Sequence, residues 1–179
     1  MKLKGRKIAL FIAEMYEDLE FWYPCYRMKE EGAEVVVIGP QAGEYKGKHG
    51  VPARAGKAIG EVNADYFDAL IIPGGYAPDH MRRSPEMVQF VRRMHTQGKP
   101  VAAICHAGWL LASADIVRGR KVTSFFSIKD DMVHAGAEWV DQEVVKDAKI
   151  ITSRKPEDLP AFCREIIASV GVDLTGLIL

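Results

Sequence analysis

The stretch 101-VAAICHAGWLLAS-113 decides the fold of this sequence, because it passes from a strand to a helix with almost no residues between them. Its first four residues, 101–104, form a continuous apolar run that is typical of a strand buried on both faces of a parallel sheet. A helical pattern follows over about residues 107–114. Cys105 and His106 therefore occupy a sharp strand-to-helix turn, a geometry that is often strained and pushes its side chain into the open.

A second buried run lies upstream, in 69-ALIIPGG-75, and it ends at Pro73, Gly74 and Gly75. In open parallel sheets, functional sites form in the crevice outside the carboxyl ends of the strands. One strand end carries two glycines and the other carries a Cys-His pair. We therefore expect the two strand ends to build one shared site.

The rest of the chain alternates short apolar runs with longer amphipathic runs, which predicts repeated βα units and a mostly parallel sheet. Residues 39–60 predict a loop with a small β-excursion at 47–53. The first helix is expected to turn Leu19, Tyr23, Tyr26 and Met28 towards the core. The predicted strands are 7–13, 34–38, 69–72, 101–104, 122–124, 144–146 and 149–152, and the predicted helices are 17–31, 84–97, 107–114, 128–135 and 158–170.

Length and composition predict a single domain over residues 1–179, because 48% of the residues are apolar and no linker interrupts the pattern. Lys and Arg together number 24 and are balanced by 24 Asp and Glu, which argues against a nucleic-acid partner. No apolar stretch approaches the roughly 18 residues that a membrane span needs. The short apolar run at 8–13 predicts a strand rather than a signal peptide.

The three cysteines are odd in number and include no CxxC pair, so we expect no disulfide framework and a cytoplasmic location. Cys25 and Cys163 lie inside amphipathic helices and are predicted to be structural. The histidines show no spacing that suits a metal, and no G-x-G-x-x-G or P-loop is present, so neither a metal nor another cofactor is expected.

Cys105 is predicted to be the reactive group, although a lone cysteine at a strand end is commonly an inert core residue. The following helix is expected to lower the pKa of its thiol and favour the nucleophilic thiolate. Backbone N–H groups near Gly75 and His106 are candidates to bind an oxyanion. His106 is either a base beside the sulfur or a solvated capping residue.

A carboxyl group near the sulfur would have a raised pKa and would donate a hydrogen bond to the sulfur. Glu17 is the candidate, because it opens the first helix just beyond the first strand. Glu14 and Asp18 are rivals, and an ordinary acid in the first turn of a helix is the alternative interpretation.

Six segments, taken together, resemble the PfpI intracellular-peptidase branch of the ThiJ/PfpI superfamily. The similarity runs from about residue 7 to residue 167, and its most specific motif is AICH after a PGG strand. It implies a flavodoxin-like three-layer sandwich, related to class I glutamine amidotransferase domains. The segments are EDLEFWYPCYRMKEEGAEV (17–35), GKHGVPA (47–53), FDALIIPGGYAPDHMR (67–82), GKPVAAICHAGWLLASADIVRGRKVTS (98–124), IKDDMVHAGAEWVD (128–141) and ITSRKPEDLPAF (151–162).

The resemblance also implies roles for individual residues. Cys105 matches the nucleophile, with His106 beside it, and Glu17 is taken to match the carboxyl group that hydrogen-bonds the cysteine. Gly74, Gly75 and the His106 amide are taken as the oxyanion-binding positions. The family's histidine is oriented by a glutamate from a neighbouring subunit, and the matching residue here is Asp79, which is one methylene shorter.

These features predict a cysteine-dependent hydrolase that acts on a small carbonyl, glycated or peptide substrate in a stress or carbonyl-damage response. The alternative is a redox-responsive stress protein or chaperone, in which Cys105 oxidises to a sulfinate without turnover. A homodimer or higher homo-oligomer is expected. Candidate contact residues between subunits are Tyr16, Phe21, Trp22 and Trp109.

Overall fold

A seven-stranded sheet forms the centre of the protein, whose computed structural model describes residues 1–171. The strand order is β10-β11-β7-β6-β1-β2-β5, and all neighbours run parallel except the pair β10 and β11. The strands are β1 (Lys7–Phe11), β2 (Glu34–Gly39), β3 (Gly43–Lys46), β4 (Pro52–Ala55), β5 (Lys57–Ala58), β6 (Ala69–Ile72), β7 (Val101–Ile104), β8 (Lys121–Val122), β9 (Glu138–Trp139), β10 (Val144–Asp147) and β11 (Ile150–Ser153).

Over residues 1–171 the α-helices are α1 (Asp18–Glu30), α2 (Ala77–Arg82), α3 (Pro85–Thr96), α4 (Gly108–Ser113), α5 (Lys129–His134) and α6 (Leu159–Gly171). Helices α1 and α6 pack against each other, and α3 packs against α2 and α4. Strands β6 and β7 bury every residue, so helices must cover both faces of the sheet. The predicted three-layer, flavodoxin-like α/β sandwich is confirmed.

Most predicted elements are present, with ends that move by a few residues. The predicted segment at 122–124 forms the short strand β8, which pairs with β9 in a separate two-stranded sheet. The last part of the predicted domain, residues 172–179, lies outside the described range. Within residues 1–171, no helix is both long enough and apolar enough to cross a membrane.

Helix α1 is where the prediction of the core face was wrong. Met28 is fully buried, but Leu19 is 58% exposed, Tyr26 is 61% exposed and Tyr23 is also exposed. The helix carries two apolar stripes at helical spacing, and the stripe that faces the core contains Phe21, Cys25 and Met28. The pattern alone did not distinguish the two stripes.

Two of the residues predicted to contact another subunit belong to the core instead. Tyr16 is fully buried and Phe21 is 1% exposed, and their rings pack with centroids 5.0 Å apart. Trp22 and Trp109 are partly buried against the core. Of the four predicted contact residues, Tyr16 and Phe21 are therefore wrong for the single chain, because their side chains already pack inside it.

The segment between β2 and β5 is a hairpin, not a loop with an excursion at 47–53. Strands β3 and β4 pair in antiparallel register from Gly43 and Ala55 to Lys46 and Pro52. The predicted excursion therefore falls mostly on the turn of the hairpin, residues 47–51. Asp18 holds this turn next to the start of α1, because its carboxylate accepts the N–H groups of His49 (2.9 Å) and Val51 (3.0 Å).

Candidate active site

Cys105 occupies the turn between β7 and α4 with a strained backbone. Its φ of 62° lies in the left-handed region, which costs a non-glycine residue about 1–2 kcal/mol. A 3₁₀ turn over Cys105–Ala107 connects the strand directly to the helix at Gly108. The predicted sharp and strained turn is confirmed, and strain of this kind is retained where the surrounding structure fixes it.

The sulfur is less accessible than the sequence predicted, because Cys105 is only 7% exposed. It lies in a pocket of about 230 Å³ at the carboxyl edge of the sheet. The expectation of a freely exposed thiol is wrong, since the loops after β1, β6 and β8 and the hairpin turn close over it. The lining residues are Glu17, Glu20, Lys48, Gly75, Tyr76, Cys105, His106, Phe125 and Pro156.

Glu20, and not Glu17, is the carboxyl group that acts on the Cys105 thiol, whose pKa it raises. Its side chain is fully buried, and its Oε2 accepts the N–H of Gly74 at 2.7 Å. Burial, followed by the charge of Glu17, raises the pKa of Glu20 to about 8. Glu20 is thus a neutral acid at neutral pH, able to donate its proton towards the sulfur. Its Oε1 accepts no N–H or O–H from residues 1–171.

Glu17 lines the same pocket, but it caps helix α1. Its Oε2 accepts the backbone N–H of Glu20 at 2.9 Å, and its Oε1 lies 3.6 Å from Nε2 of His49. The predicted hydrogen bond from Glu17 to Cys105 is therefore wrong. The two glutamates are one helical turn apart on the same face, and the N-cap position commits Glu17 to the helix while Glu20 reaches the sulfur.

The pKa of the Cys105 thiol is raised, which is opposite to the expected direction. Burial is the main cause, and the charge of ionised Glu20 adds to it, while the backbone N–H groups of His106 and Gly75 act against both. Helix α4 has only six residues, so its dipole does not outweigh the burial. Attack by this sulfur therefore requires a base that removes its proton.

The backbone N–H groups of Gly75 and His106 act on the sulfur of Cys105 and favour its thiolate form. Gly75 has a φ of 77°, and a Cβ there would lie 2.5 Å from the nitrogen of Glu17 and the oxygen of Met15. Only glycine lets the loop after β6 lie this close to the loop after β1. The predicted role of Gly74 as an oxyanion donor is wrong in this geometry, because its N–H is used by Glu20.

His106 is held on several sides. Its Nδ1 lies 3.2 Å from Sγ of Cys105, and its Nε2 lies 3.2 Å from Oγ of Ser127. The ring stacks on Phe125 with centroids 5.1 Å apart and meets the edge of Trp109 at the same distance. Burial and the nearby charge of Lys48 lower the pKa of His106, so the neutral base is present at neutral pH.

Sequence analysis missed four residues that belong to the site, namely Ser127, Phe125, Lys48 and Glu20. Ser127 and Phe125 follow β8, about 20 residues after the cysteine, and the backbone N–H of Phe125 donates to the carbonyl of Cys105 at 3.2 Å. No local pattern marks Ser127 or Phe125. The one available signal was that their segment leaves a strand end at the same edge of the sheet.

Asp79 does not reach the pocket of its own chain. It lies on α2, about half exposed, and its carboxylate pairs with Arg83 one turn later. The predicted contact with His106 of a neighbouring subunit stays a prediction. Within residues 1–171, no three His, Cys, Asp or Glu side chains come together as metal ligands.

Comparisons with known proteins show what the whole chain is similar to. The model of the DJ-1/PfpI family matches residues 6–169. The protein named Deglycase PfpI, from Pyrococcus furiosus, is 47% identical over 161 residues, which cover 90% of this chain and 97% of that protein. Protein/nucleic acid deglycase 2 of Escherichia coli is 47% identical over 170 residues (93% and 99%), and General stress protein 18 of Bacillus subtilis is 44% identical over 167 residues (92% and 97%).

Solved structures show the same fold. A two-domain protein from Anabaena variabilis with DJ-1/ThiJ/PfpI-like and ferritin-like domains superposes with a TM-score of 0.92 at 41% identity. The match covers 98% of this chain and 52% of that longer chain. DJ-1beta of Drosophila melanogaster superposes with a TM-score of 0.87 at 28% identity and covers 93% of this chain and 91% of its own.

Proposed function

The chain belongs to the DJ-1/PfpI family, and from this membership we propose that it is a cysteine-dependent hydrolase of the PfpI type. One observation carries the proposal: Cys105 is held in a strained turn with a neutral histidine nitrogen 3.2 Å from its sulfur. A nucleophile within hydrogen-bond reach of a base is the arrangement that covalent catalysis requires. The relatives named as deglycases support a reaction at a carbonyl group.

The proposed first step is attack by Cys105 on a carbonyl carbon. Nδ1 of His106 takes the thiol proton, the sulfur forms a bond to carbon, and the carbon–oxygen π bond breaks to give an oxyanion. The amides of Gly75 and His106 are placed to stabilise that oxyanion. Glu20 is protonated at neutral pH and lines the same pocket, where its O–H group is available to donate a hydrogen bond to the sulfur. In the acyl case the leaving amine or thiol takes the proton from His106, and water then releases an acid and restores the thiol.

The size of the pocket favours small substrates. Its volume of about 230 Å³ is below the range of roughly 300–1,000 Å³ of pockets for drug-sized ligands. A small aldehyde or a sugar-derived adduct on the end of a side chain suits this volume better than an extended peptide. The name of the E. coli relative, protein/nucleic acid deglycase 2, adds glycated nucleic acid as a substrate to test. Attack on an adduct does not need tight binding of the phosphate groups.

The test compares the wild type with Cys105→Ala on methylglyoxal, a glycated thiol, a glycated oligonucleotide and a peptide. We expect activity on at least one carbonyl substrate, lowered on the order of 10³-fold or more by Cys105→Ala, since the nucleophile is lost. Cys163→Ala is the matched control and should retain activity. Equal rates for wild type and Cys105→Ala on all four substrates would eliminate the hydrolase.

A second candidate function is a redox-responsive stress protein, favoured by the donors around the sulfur. The neutral Glu20 and the amides of Gly75 and His106 would stabilise the oxygens of a sulfinate. The likeness to General stress protein 18 supports this candidate. Mass spectrometry after mild peroxide should find Cys105 oxidised first, and earlier oxidation of Cys25 or Cys163 would contradict the idea.

A homo-oligomer and a cytoplasmic location are part of the proposal. The three cysteines are all free thiols, which supports a reducing compartment. The exposed stripe of α1, made of Leu19, Tyr23 and Tyr26, supports a contact between copies of this chain. The same proposal includes a contact between Asp79 and the pocket of another subunit.

A further inference from the structure

We propose that Lys48 determines the specificity of the pocket and selects carbonyl substrates that carry a carboxylate group. The inference rests on the proposed function and deepens it, because it names the substrate class of that same site. Lys48 lies on the turn of the β3–β4 hairpin, far in sequence from the turn that holds Cys105. Its role follows from the charge that it adds to the pocket.

Lys48 supplies a permanent positive charge at the pocket. It lines the cavity of about 230 Å³ together with Cys105 and His106, and the other lining residues in the described part of the chain include no lysine or arginine. The pKa of His106 is lowered by burial and by the charge of Lys48, so the neutral ring adds no second charge. The charge of Lys48 also acts on Glu20, which places it near the sulfur.

The ammonium group of Lys48 has no acidic partner to neutralise it. Within residues 1–171 it forms neither a salt bridge nor a hydrogen bond. Glu17 lines the same pocket, but its Oε2 accepts the backbone N–H of Glu20 at 2.9 Å and its Oε1 lies 3.6 Å from Nε2 of His49. Glu20, whose pKa is about 8, is protonated at neutral pH. A carboxylate on a bound substrate would therefore supply the missing partner.

The hairpin turn holds the backbone of Lys48 in place. The N–H of Lys48 donates to the carbonyl of Tyr16 at 2.8 Å, and the N–H of Gly47 donates to the carbonyl of Val51 at 2.9 Å. A Cβ at Gly47 would lie 2.3 Å from Oδ1 of Asp18, so only glycine lets the turn lie this close to the start of α1. Because the turn is ordered in the absence of a ligand, binding costs little ordering of its backbone.

Tyr16 places this turn next to the loop that carries the oxyanion donor. It pairs with Gly47 on one side and with Gly75 on the other, so the loop after β1 lies between the hairpin turn and the PGG loop. Lys48 thus approaches the pocket from the side of Tyr16 that is opposite to Gly75. A substrate attacked at its carbonyl carbon would direct the carbonyl oxygen towards the amide of Gly75 and an adjacent carboxylate towards Lys48.

The charge and the volume of the pocket favour a carboxylate over a phosphate ester. The single ammonium group of Lys48 balances the unit charge of a carboxylate, whereas a phosphate monoester carries roughly 1.5 to 2 negative charges at neutral pH. A cavity of about 230 Å³ suits small acids that carry an aldehyde or ketone next to the carboxylate, such as glyoxylate.

The experiment compares two alkylating reagents of nearly equal size at Cys105, the anion iodoacetate and the neutral iodoacetamide. Both rates are measured on the full chain at neutral pH and low salt, and their ratio is divided by the ratio for a free thiol. Changes in the sulfur or its base cancel in this ratio, which reports only the preference for a charged reagent. The full chain is compared with Lys48→Gln, with Lys48→Glu, and with Lys46→Gln as the matched control.

Lys46 is an exposed lysine on β3 that does not line the pocket, so Lys46→Gln removes the same charge elsewhere. We expect the iodoacetate preference to fall about fivefold in Lys48→Gln, to fall further in Lys48→Glu and to stay unchanged in Lys46→Gln, since an exposed ion pair contributes a factor of this order. The concentration of glyoxylate that protects Cys105 from iodoacetamide should rise about fivefold in Lys48→Gln, whereas that of the neutral glyoxal should not change.

The inference is overturned if Lys48→Gln leaves the preference for iodoacetate unchanged, or if Lys46→Gln lowers it equally. It is also overturned if neither reagent labels Cys105 in the folded protein, because the pocket would then admit no small anion. Labelling requires no turnover, so the two proposals fail separately. An unchanged preference in Lys48→Gln beside an inactive Cys105→Ala would reject the selection of carboxylates and keep the hydrolase.

Discussion

At the scale of single residues, the carboxyl group of Glu20 and the thiol of Cys105 are the pair that defines the site. Both are buried, and burial disfavours the charged form of each. At neutral pH the resting pair therefore keeps both protons, and Nδ1 of His106 is the acceptor within reach. In the proposed reaction, the protonated Glu20 donates a hydrogen bond to the sulfur once the thiol proton has moved.

This state of Glu20 predicts a pH dependence of stability. Its pKa is about 8 in the folded protein and about 4.5 when unfolded, so the folded state binds the extra proton between these values. Glu20 makes its full contribution to the free energy of unfolding below pH 4.5, and this contribution is lost as the pH rises through 8. Glu20→Gln cannot titrate. Between about pH 5 and about pH 9, the wild type should lose about 4 kcal/mol more unfolding free energy than the variant.

Urea unfolding at the two pH values checks this prediction, with the exposed Glu44→Gln as the control that should follow the wild type. Parallel pH profiles for wild type and Glu20→Gln would contradict a buried neutral carboxyl. An effect of the opposite sign, with the wild type gaining stability at high pH, would place an ionised group at this position.

The sequence did not identify Glu20 as the carboxyl group beside Cys105. The motif 17-EDLE-20 contains two acids on one helical face, and the choice between them depends on which residue is the N-cap. That choice is made by the hairpin turn and the PGG loop packed on the helix start, which lie far away in sequence. Helical period alone would have kept Glu20 among the candidates.

At the scale of elements, helix α1 carries one apolar stripe towards the core and another towards the outside. The outer stripe predicts a contact between copies of this chain. The double variant Leu19→Ser and Tyr26→Ser should shift the protein to a smaller species in light scattering, since it removes much of the exposed apolar surface of the stripe. Tyr66→Ser, at a tyrosine that is 74% exposed elsewhere, is the control and should leave the mass unchanged.

An unchanged mass in the double variant would contradict a contact through α1.

The helices and strands themselves were predictable from the sequence because their apolar patterns are strong, as in the continuous apolar runs of β6 and β7. Their loops were not, since the turn at 47–51 and the segment at 125–128 reach the site only through contacts between distant strands. Lys48 and Ser127 were missed for that reason.

At the scale of the whole molecule, the order of the strands assembles the site. Strand β6 lies between β1 and β7, so the loops that follow these three strands meet at one edge of the sheet. These loops carry Glu17, Gly75 and Cys105. The shared site at the strand ends and the family were predictable from the sequence, because the two buried strands and their terminal motifs are both explicit there.

The whole molecule also gives Cys105 a setting that differs from that of the other two cysteines. Cys25 in α1 and Cys163 in α6 lie in the core, and burial raises the pKa of Cys25 and raises that of Cys163 to about 12. Burial raises the pKa of Cys105 too, but its sulfur lines a pocket and has a histidine base beside it. Reactivity should therefore follow access and the nearby base rather than the resting pKa alone.

The rate of iodoacetamide labelling at each cysteine of the folded protein, resolved by mass spectrometry, tests the central role of Cys105 most directly. We predict that Cys105 is labelled at least about tenfold faster than Cys25 and Cys163 at neutral pH, because it alone combines a pocket with a base. Labelling of Cys25 or Cys163 first, or a Cys105 that reacts only after unfolding, would contradict a nucleophile at the strand-to-helix turn.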